Sequence, residues 1–353
     1  MRVPCLRVPR RFGESAIRLL DRLRLRDRQL RIQRDGVYVY IPLLQEPSPK
    51  DLAELEERLP EFEVLVREFR EARKPKTLVE ILEGRLPPHL LASLPRSLDL
   101  IGDVAILEIP PELEPHKRLI GDAVMQLYGR IKTVLAKAGA VEGVYRLRNF
   151  EVIAGSGETE TVHREYGCVY HLDPTKVYFS PRLSYEHHRV AAQVREGETV
   201  VDMFAGVGPF SILIAKMHRN VKVYAIDINP EAIRYLRMNV ERNGVEDRVT
   251  VLEGDAGEVV ESTLAGVADR VVMNLPERAL EYVDAACMAL GESGGVIHYY
   301  EFSSEPDALE KAEKRLRDAV KRAGRRVSRV LAARRVREVA PLRWQVVIDA
   351  EIA

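Results

Sequence analysis

Asp202-Met203-Phe204-Ala205-Gly206-Val207-Gly208-Pro209-Phe210 is the stretch that decides the fold of this chain. It follows the apolar run Thr199–Val201 and leads into an apolar helical pattern from Phe210 to Met217. This order predicts a strand, a glycine turn and the start of a helix. A second strand, predicted from Val221 to Ile226, ends in Asp227. Acidic residues at the ends of two such strands are typical of a nucleoside cofactor site at the carboxyl edge of a parallel sheet.

The residues around the glycine turn favour S-adenosylmethionine over a dinucleotide. A dinucleotide site has three glycines in the pattern GxGxxG and aims a helix N-terminus at a pyrophosphate. Gly206 and Gly208 supply two of these glycines, but Ser211 occupies the third position. Asp202 would place a carboxylate beside the pyrophosphate, which is unfavourable. S-adenosylmethionine has no phosphate and carries an ammonium and a sulfonium, so an acid before the turn suits it.

Two further acids support this cofactor. Asp227 can take the ribose hydroxyls, since a carboxylate accepts two such hydrogen bonds. Asp255 closes the predicted strand Val249–Leu252 and would reach the adenine edge. Ordinary strand-end turns are the alternative interpretation, but three acids at three successive strand ends favour the cofactor site.

Composition places the chain among globular proteins. Its 353 residues allow two or three domains, 46% of them are hydrophobic and 31% are charged. No apolar run approaches the length of a membrane span, and the basic segment Met1–Arg11 lacks the apolar core of a signal peptide. We therefore expect a cytoplasmic protein that makes no membrane contact. Cys5, Cys168 and Cys287 are widely spaced and form no metal or disulfide pattern.

A formal net charge of zero conceals two basic regions. Residues 1–50 contain twelve lysines or arginines and five acids, and residues 321–340 contain eight basic residues and one acid. Clustered arginines are the electrostatic signature of a polyanion partner. Solvated faces of helices and strands are the alternative explanation for either region alone.

Three segments are expected along the chain. Residues 1–73 form a small α+β module, with a hairpin around Gly36, a helix at Ala16–Leu25 and a linker at Lys74–Lys76. Residues 77–179 form a middle α+β domain, for which we predict these elements: a helix at Leu78–Leu86, a strand at Val104–Ile109, a long helix near His116–Ala136, and then extended hairpins. Residues 180–353 alternate strand and helix, which predicts a doubly wound, mostly parallel sheet.

Asn274-Leu275-Pro276-Glu277 forms a second group of candidate site residues, after the predicted strand Arg270–Met273. The Asn274 amide can offer a donor and an acceptor to the edge of a planar base, and Pro276 fixes the backbone beyond it. Many amino-group methyltransferases have Asn-Pro-Pro-aromatic here, and the departure argues against a plain exocyclic-amine mechanism. Upstream, Arg182 and Glu186 are four residues apart, so a salt bridge on one helix face is the simplest interpretation. The alternative is that Glu186 acts as a base near the cofactor entrance.

At this point the sequence closely resembles the archaeal and eukaryotic type of tRNA (guanine-37-N1)-methyltransferase. The resemblance covers almost the whole chain and rests on these motifs: Tyr145–Arg148, Thr161–Glu165, Tyr178–Leu183 with Glu186, Val201–Ser211, Ala225–Pro230, Met273–Pro276 and His298–Tyr300. It implies a C-terminal Rossmann-like class I methyltransferase domain, preceded by two smaller RNA-binding modules.

The resemblance also implies roles for individual residues. Glu186 takes the role of general base, Arg146 and Asn274 hold the target guanine as catalytic residues, and Arg182 and Pro276 line the same substrate cleft. Contacts to S-adenosylmethionine are expected from these residues: Asp202, Phe204, Gly206, Gly208, Asp227, Ile228, Asp255 and Asn274. The tRNA partner would be held at its anticodon loop and, by the N-terminal module, at its outer corner. No metal is expected, and a cleft built within one chain makes a monomer the default.

The residue types suit this chemistry. Guanine N1 holds a proton at neutral pH, so transfer from a sulfonium needs a base, and a glutamate partly shielded from water suits that role. Charge that builds on guanine O6 can be stabilised by Arg146 or by the Asn274 amide. Two alternatives remain open: methylation of a tricyclic, wyosine-type guanosine intermediate or of an exocyclic amine in tRNA, and an RNA-binding protein with a vestigial cofactor fold.

Overall fold

The computed structural model describes residues 1–70, 77–142 and 147–353. The chain divides into two compact units, Met1–Thr77 and Leu78–Ala353. The predicted linker Lys74–Lys76 and the predicted base contact Arg146 lie outside the described residues. The boundary that we expect between a middle domain and a methyltransferase domain, after residue 179, stays a prediction.

The first unit is a four-stranded antiparallel sheet with two helices. Its strands are β1 (Arg2–Pro9), β2 (Gln33–Arg34), β3 (Tyr38–Pro42) and β4 (Glu63–Glu68), in the order β2-β3-β1-β4, and its helices are α1 (Gly13–Arg22) and α2 (Pro49–Arg58). The predicted hairpin around Gly36 forms between β2 and β3. Ser48 begins α2 with a capping box, in which its hydroxyl accepts from the Asp51 N–H. These local signals therefore agree with the α+β module expected here.

The second unit begins with a smaller sheet and a hairpin. The elements are α3 (Leu78–Leu82), α4 (Pro88–Ala92), β5 (Asp99–Ile101), β6 (Val104–Leu107), α5 (Lys117–Leu127), β7 (Thr133–Glu142), β8 (Leu147–Gly155), β9 (Thr161–Glu165) and β10 (Cys168–Leu172). Strands β5 to β8 form one sheet in chain order, and β9 pairs with β10. The long helix predicted to reach Ala136 was wrong beyond Leu127. Gly129 interrupts it, and the β-branched residues Ile131, Thr133 and Val134 favour an extended chain.

A seven-stranded sheet forms the rest of the second unit. Its strands are β11 (Thr199–Asp202), β12 (Lys222–Asp227), β13 (Val249–Glu253), β14 (Arg270–Met273), β15 (Gly295–Ser304), β16 (Val327–Ala340) and β17 (Arg343–Ile352). Their order is β13-β12-β11-β14-β15-β17-β16, and the first five are parallel. Strand β17 is antiparallel to both β15 and β16. The predicted doubly wound, mostly parallel α/β sheet is confirmed.

Helices cover both faces of this sheet. They are α6 (Ser184–Ala191), α7 (Pro209–Met217), α8 (Pro230–Asn243), α9 (Ala256–Val259), α10 (Val283–Ala289) and α11 (Ala308–Arg322). Successive strand residues point to opposite faces, so Val200 belongs to one hydrophobic core and Val201 to the other. A sheet buried on both faces leaves its strand ends as the place for polar groups. Asp202 and Asp227 end two neighbouring strands, and Asp255 follows the third.

Within residues 1–70, 77–142 and 147–353, none of the helices combines the length and the apolar character needed to cross a membrane.

Candidate active site

A cavity of about 330 Å³ lies at the carboxyl ends of the central parallel strands. Its size is at the lower end of the range typical of ligand pockets. Four strand ends contribute its walls, and the residues include Phe204 and Gly206 after β11, Asp227 and Ile228 after β12, Asp255 after β13, and Asn274 and Pro276 after β14. Seven of the residues predicted for the site therefore share one cavity.

The two glycines of the turn do different things. Gly206 has a φ of +57° and donates its N–H to Asp227 Oδ2 at 2.7 Å, so the turn is tied to the neighbouring strand. Gly208 begins α7 with a φ of +96°, and a Cβ there would lie 2.5 Å from Leu236 Cδ1. Gly208 therefore permits close packing of α7 on α8, and it is not among the described residues that line the cavity.

Asp227 and Asp255 are held by backbone N–H groups. Asp227 Oδ1 accepts from the Asn229 N–H at 2.9 Å, and burial raises the pKa of Asp227. Asp255 caps α9 by accepting from the Gly257 N–H at 2.8 Å, and its second oxygen accepts from the Tyr282 hydroxyl at 2.7 Å. At least one oxygen of each carboxylate still has a lone pair available for a hydroxyl or an amino group. Both acids are thus oriented for a nucleoside ligand.

Asp202 lies behind the turn rather than in the cavity wall. It is fully buried, and its Oδ2 accepts from the Ser211 hydroxyl at 2.6 Å. Burial raises the pKa of Asp202 to about 7, against the opposing effect of the Ser211 hydrogen bond. Its Oδ1 has no hydrogen-bond partner among the described residues. The serine at the third glycine position is therefore explained by its contact with the acid that precedes the turn.

These residues fit S-adenosylmethionine. The Asp227 and Asp255 carboxylates can accept from ribose hydroxyls and from an adenine amino group, and Ile228 adds an apolar wall. Phe204 packs edge-on against Tyr282, with ring centroids 5.1 Å apart, which gives the cavity an aromatic side. Acidic groups with apolar walls suit a cationic nucleoside better than a phosphate-bearing one.

Asn274 and Tyr178 are connected by residues that sequence reasoning missed. Asn274 Oδ1 accepts from Gln345 Nε2 at 3.2 Å, and Gln345 Oε1 accepts from Arg337 Nε at 2.8 Å. Arg337 also donates to the Tyr178 hydroxyl at 3.0 Å and to the Ser180 hydroxyl at 2.9 Å. Tyr178 and Asn274 both line the cavity. Arg337 therefore joins two of its walls from the edge strand β16.

Glu186 lies in the first turn of α6 and is only 1% exposed. Its Oε2 accepts from Arg189 Nε and from the Tyr300 hydroxyl, each at 2.9 Å. Arg334 Nη1 lies 2.8 Å from Oε1, close enough for an ion pair but not aligned for a hydrogen bond. The salt bridge between Arg182 and Glu186, the simplest interpretation of their spacing, is not formed. Glu186 is not among the described residues that line the cavity.

A buried chain of polar groups extends from Glu186 into the sheet. Arg189 pairs with Asp349, whose Oδ1 accepts from His298 Nδ1 at 2.7 Å. His298 Nε2 in turn accepts from Arg270 at 2.9 Å, so the imidazole is neutral and carries its proton on Nδ1. Burial lowers the pKa of His298, which agrees with this neutral form. The position of Glu186 is thus supported by residues far from it in sequence.

Arg182 is placed away from the cavity. Its Nε donates to Asp99 Oδ1 at 2.6 Å, and it is not among the described cavity residues. Its expected contact with the substrate stays a prediction.

A seven-stranded sheet of this order, with a nucleoside site at its carboxyl edge, defines a class I methyltransferase. Three family models match the chain: the TRM5/TYW2 methyltransferase domain at residues 161–328, the TYW2 N-terminal domain at 78–159, and the tRNA methyltransferase 5 N-terminal domain at 5–51. The chain belongs to the TRM5/TYW2 family of tRNA methyltransferases. It is therefore an enzyme that methylates tRNA with S-adenosylmethionine.

Relatives in this family differ in the part of the chain that they match. The tRNA (guanine(37)-N(1))-methyltransferase Trm5b of Pyrococcus abyssi is 40% identical over 99% of this chain and 98% of its own. Its crystal structure has a TM-score of 0.72. The tRNA 4-demethylwyosine(37)-methyltransferase Taw21 of Saccharolobus solfataricus is 34% identical but matches only 78% of this chain, with 98% of its own covered.

Two solved structures carry ligands relevant to the site. A complex of aTrm5 with tRNALeu has a TM-score of 0.70 at 34% identity and covers 99% of each chain. TYW2 of Methanocaldococcus jannaschii, solved with AdoMet, has a TM-score of 0.56 at 30% identity and covers 72% of this chain and 99% of its own. The first of these relatives was thus solved with tRNA and the second with AdoMet.

Proposed function

We propose that this enzyme transfers a methyl group from S-adenosylmethionine to N1 of guanosine 37 in tRNA. The observation that carries the proposal is the extent of the likeness. The Trm5b relative matches both compact units, including the N-terminal segment 5–51, whereas Taw21 matches a length equivalent to the larger unit. The N-terminal unit is therefore what this chain shares with the guanosine-37 methyltransferase and not with Taw21, and we expect that unit to contact the tRNA.

The chemistry assigns a task to each residue. When bound, S-adenosylmethionine supplies an electrophilic methyl group on a sulfonium. Glu186 accepts the proton of guanine N1 as the N1–H bond breaks, and the freed electron pair forms the new N1–CH₃ bond. The methyl–sulfur bond breaks at the same time and leaves S-adenosylhomocysteine. Negative charge that builds on O6 during proton loss is stabilised by the Asn274 amide and, by family resemblance, by Arg146. Pro276 shapes the loop beyond Asn274, and its carbonyl accepts from the Phe302 N–H at 3.1 Å.

The surroundings of Glu186 suit a base. Both hydrogen bonds that Glu186 accepts go to Oε2, which leaves Oε1 as the oxygen that can receive a proton. The guanidinium groups of Arg189 and Arg334 lie 2.9 Å and 2.8 Å from its two carboxylate oxygens. Arg334, at 34% side-chain exposure, lies over the Tyr185 ring and faces Oε1.

Basic residues of the N-terminal unit support contact with the outer corner of tRNA. Four arginines and Gln33 line one shallow cavity of about 640 Å³: Arg31, Arg34, Arg67 and Arg70. Within it, Arg67 donates to Gln33 at 2.8 Å and stacks over the Tyr40 ring, so at least one guanidinium is held in place. Fixed arginines of this kind suit phosphate oxygens.

The first experiment is nucleoside mass spectrometry of unmodified tRNA transcripts incubated with enzyme and S-adenosylmethionine. One transcript has guanosine at position 37 and the other adenosine. N1-methylguanosine from the first alone is the expected result. A methyl group on another atom or position would contradict the proposal and favour the second candidate, methylation of an exocyclic amine. Methylation only of tRNA that carries a tricyclic guanosine would favour the Taw21-like activity.

Glu186→Gln tests the base assignment. This variant keeps the size and hydrogen-bonding reach of the side chain, so we expect unchanged cofactor binding and a fall in turnover of about 10²- to 10⁴-fold. Glu241→Gln, on the exposed face of α8, is the matched control. Turnover by Glu186→Gln equal to that of the control would rule out Glu186 as the base.

A further inference from the structure

The strand pair β16 and β17 places a hydrogen-bond relay behind the cavity wall. Arg337 and Gln345 are directly opposed across these two strands. Gln345 is 1% exposed, whereas Asn274, its partner, borders the cavity. The relay therefore runs from an edge strand through a buried amide to a residue that can touch a ligand.

The polarity of this relay is set at its first member. A guanidinium group only donates hydrogen bonds, so the Gln345 atom at 2.8 Å from Arg337 Nε must be the carbonyl oxygen. The Gln345 amino group then faces Asn274, and the atom that it meets at 3.2 Å must be the Asn274 carbonyl. Because Oδ1 is turned toward Gln345, the Nδ2 amino group is the part of the Asn274 amide left for a ligand.

We propose that Arg337 and Gln345 are positioning residues that fix the Asn274 amide as a hydrogen-bond donor toward the cavity, and so select a base with a carbonyl acceptor. This inference rests on the proposed function, in which guanine O6 is that acceptor. A purine with an amino group at position 6 would bring two donors together and leave both without a partner. A site built to hydrogen-bond one group rejects a ligand that lacks it.

Arg337 extends the same selection to a second wall. Its Nη2 holds the Tyr178 hydroxyl and its Nη1 holds the Ser180 hydroxyl, so one guanidinium fork orients Tyr178 and, through Gln345, Asn274. A lysine has no such fork and cannot hold all three acceptors in one plane. The two walls should therefore loosen together when Arg337 is replaced.

The test compares binding of two transcripts in the presence of S-adenosylhomocysteine, so that no turnover is needed. One transcript has guanosine at position 37, and the other has 2,6-diaminopurine, which replaces the O6 acceptor by an amino donor. The wild-type protein should prefer guanosine by about tenfold or more, the effect of one good base contact. Gln345→Glu still accepts from Arg337 but cannot donate to Asn274, so the Asn274 amide should turn over and the preference should fall to within about threefold.

Two further variants control for changes in charge. Gln345→Met removes both hydrogen bonds without adding charge, and we expect an intermediate preference. Arg329→Gln removes a positive charge from an exposed position on β16, the strand of Arg337, and should weaken binding of both transcripts equally. An unchanged guanosine preference in Gln345→Glu, with cofactor binding intact, would overturn the relay while leaving the proposed function untouched. Methylation by the wild type at an atom other than N1 would instead refute the proposed function. The ratio of the two binding affinities would still show whether Gln345 orients the Asn274 amide.

Discussion

Replacing Asp349 by alanine is expected to destabilise the larger unit by about 3–5 kcal/mol, because it removes one partner of a buried ion pair. Asp349 is fully buried, accepts from His298 Nδ1 at 2.7 Å and pairs with the Arg189 guanidinium. The Arg189 side chain is 12% exposed, so water can replace little of what the carboxylate supplies. The variant also leaves the His298 N–H without an acceptor, which alone costs about 1–3 kcal/mol.

Urea unfolding at pH 7 measures this loss, with Asp247→Ala as the control. Asp247 also pairs with an arginine, Arg248, but its side chain is 72% exposed, so its removal should change the free energy of unfolding by less than about 1 kcal/mol. Equal changes in the two variants would refute the view that the buried chain of polar groups is stabilised by Asp349. Asp349→Ala should also lower turnover, because Arg189 loses the carboxylate that fixes it beside Glu186.

The effect of Asp349 should also depend on pH. Burial alone would raise the pKa of Asp349, but His298 and Arg189 outweigh burial and hold the pKa below its usual value. A carboxyl with a lowered pKa in the folded state stabilises the protein above its unfolded pKa of about 4, and this contribution is lost as the pH falls further. The difference between wild type and variant should therefore shrink below about pH 4.

Two smaller predictions concern the turn and a second buried acid. Gly208→Ala should lower the free energy of unfolding by about 2–4 kcal/mol, because a Cβ would meet Leu236 at 2.5 Å. Gly244 has a φ of +64° with open space around it, so Gly244→Ala should lower it by only about 1 kcal/mol. Urea unfolding measures both changes. For Glu165, the effect of burial is outweighed by two imidazoles, and its pKa is lowered to about 2. His187 forms a 2.6 Å hydrogen bond with Oε1, and His163 Nε2 lies 3.7 Å from Oε2. Stability that Glu165 contributes should be lost as the pH falls from about 4.5 toward 2, and acid unfolding followed by circular dichroism should begin at higher pH in Glu165→Gln. If Glu165→Gln began to unfold at the same pH as the wild type, the stabilising role of the Glu165 carboxylate would be contradicted.

The parallel part of the sheet could be predicted because its signals are local. Apolar runs end in Asp202 and Asp227, and a glycine turn follows the first while Asn229-Pro230 follows the second, so strand, turn and helix start are marked within a few residues. The apolar helical pattern from Phe210 to Met217 corresponds to α7, which begins one residue earlier. Local order also explains why seven predicted residues meet in one cavity, since parallel strand ends share an edge.

The missed features depend on contacts between distant residues. Strand β16 was not predicted, because its arginines were interpreted as a basic patch and they obscure a weak alternation of exposed and half-buried positions. Arg337 and Gln345 lie 63 and 71 residues after Asn274, so no motif around the Asn-Leu-Pro-Glu run points to them. Asp202 is expected to touch the cofactor, and only the folded structure shows that its side chain is fully buried behind the turn, where Oδ2 accepts from the Ser211 hydroxyl.

The order of the last strands has a consequence for synthesis of the protein on the ribosome. Strand β16 leaves the ribosome before β17, yet in the sheet β17 lies between β15 and β16. Strand β16 therefore has no place in the sheet until β17 has been made and has paired with β15. Strand β12, which ends in Asp227, and strand β13, which Asp255 follows, can assemble earlier, because their partners all precede them or follow closely. A nascent chain should therefore form the strands of the cofactor cavity first. The contact that we propose for base selection forms only when β17 brings Gln345 against Asn274.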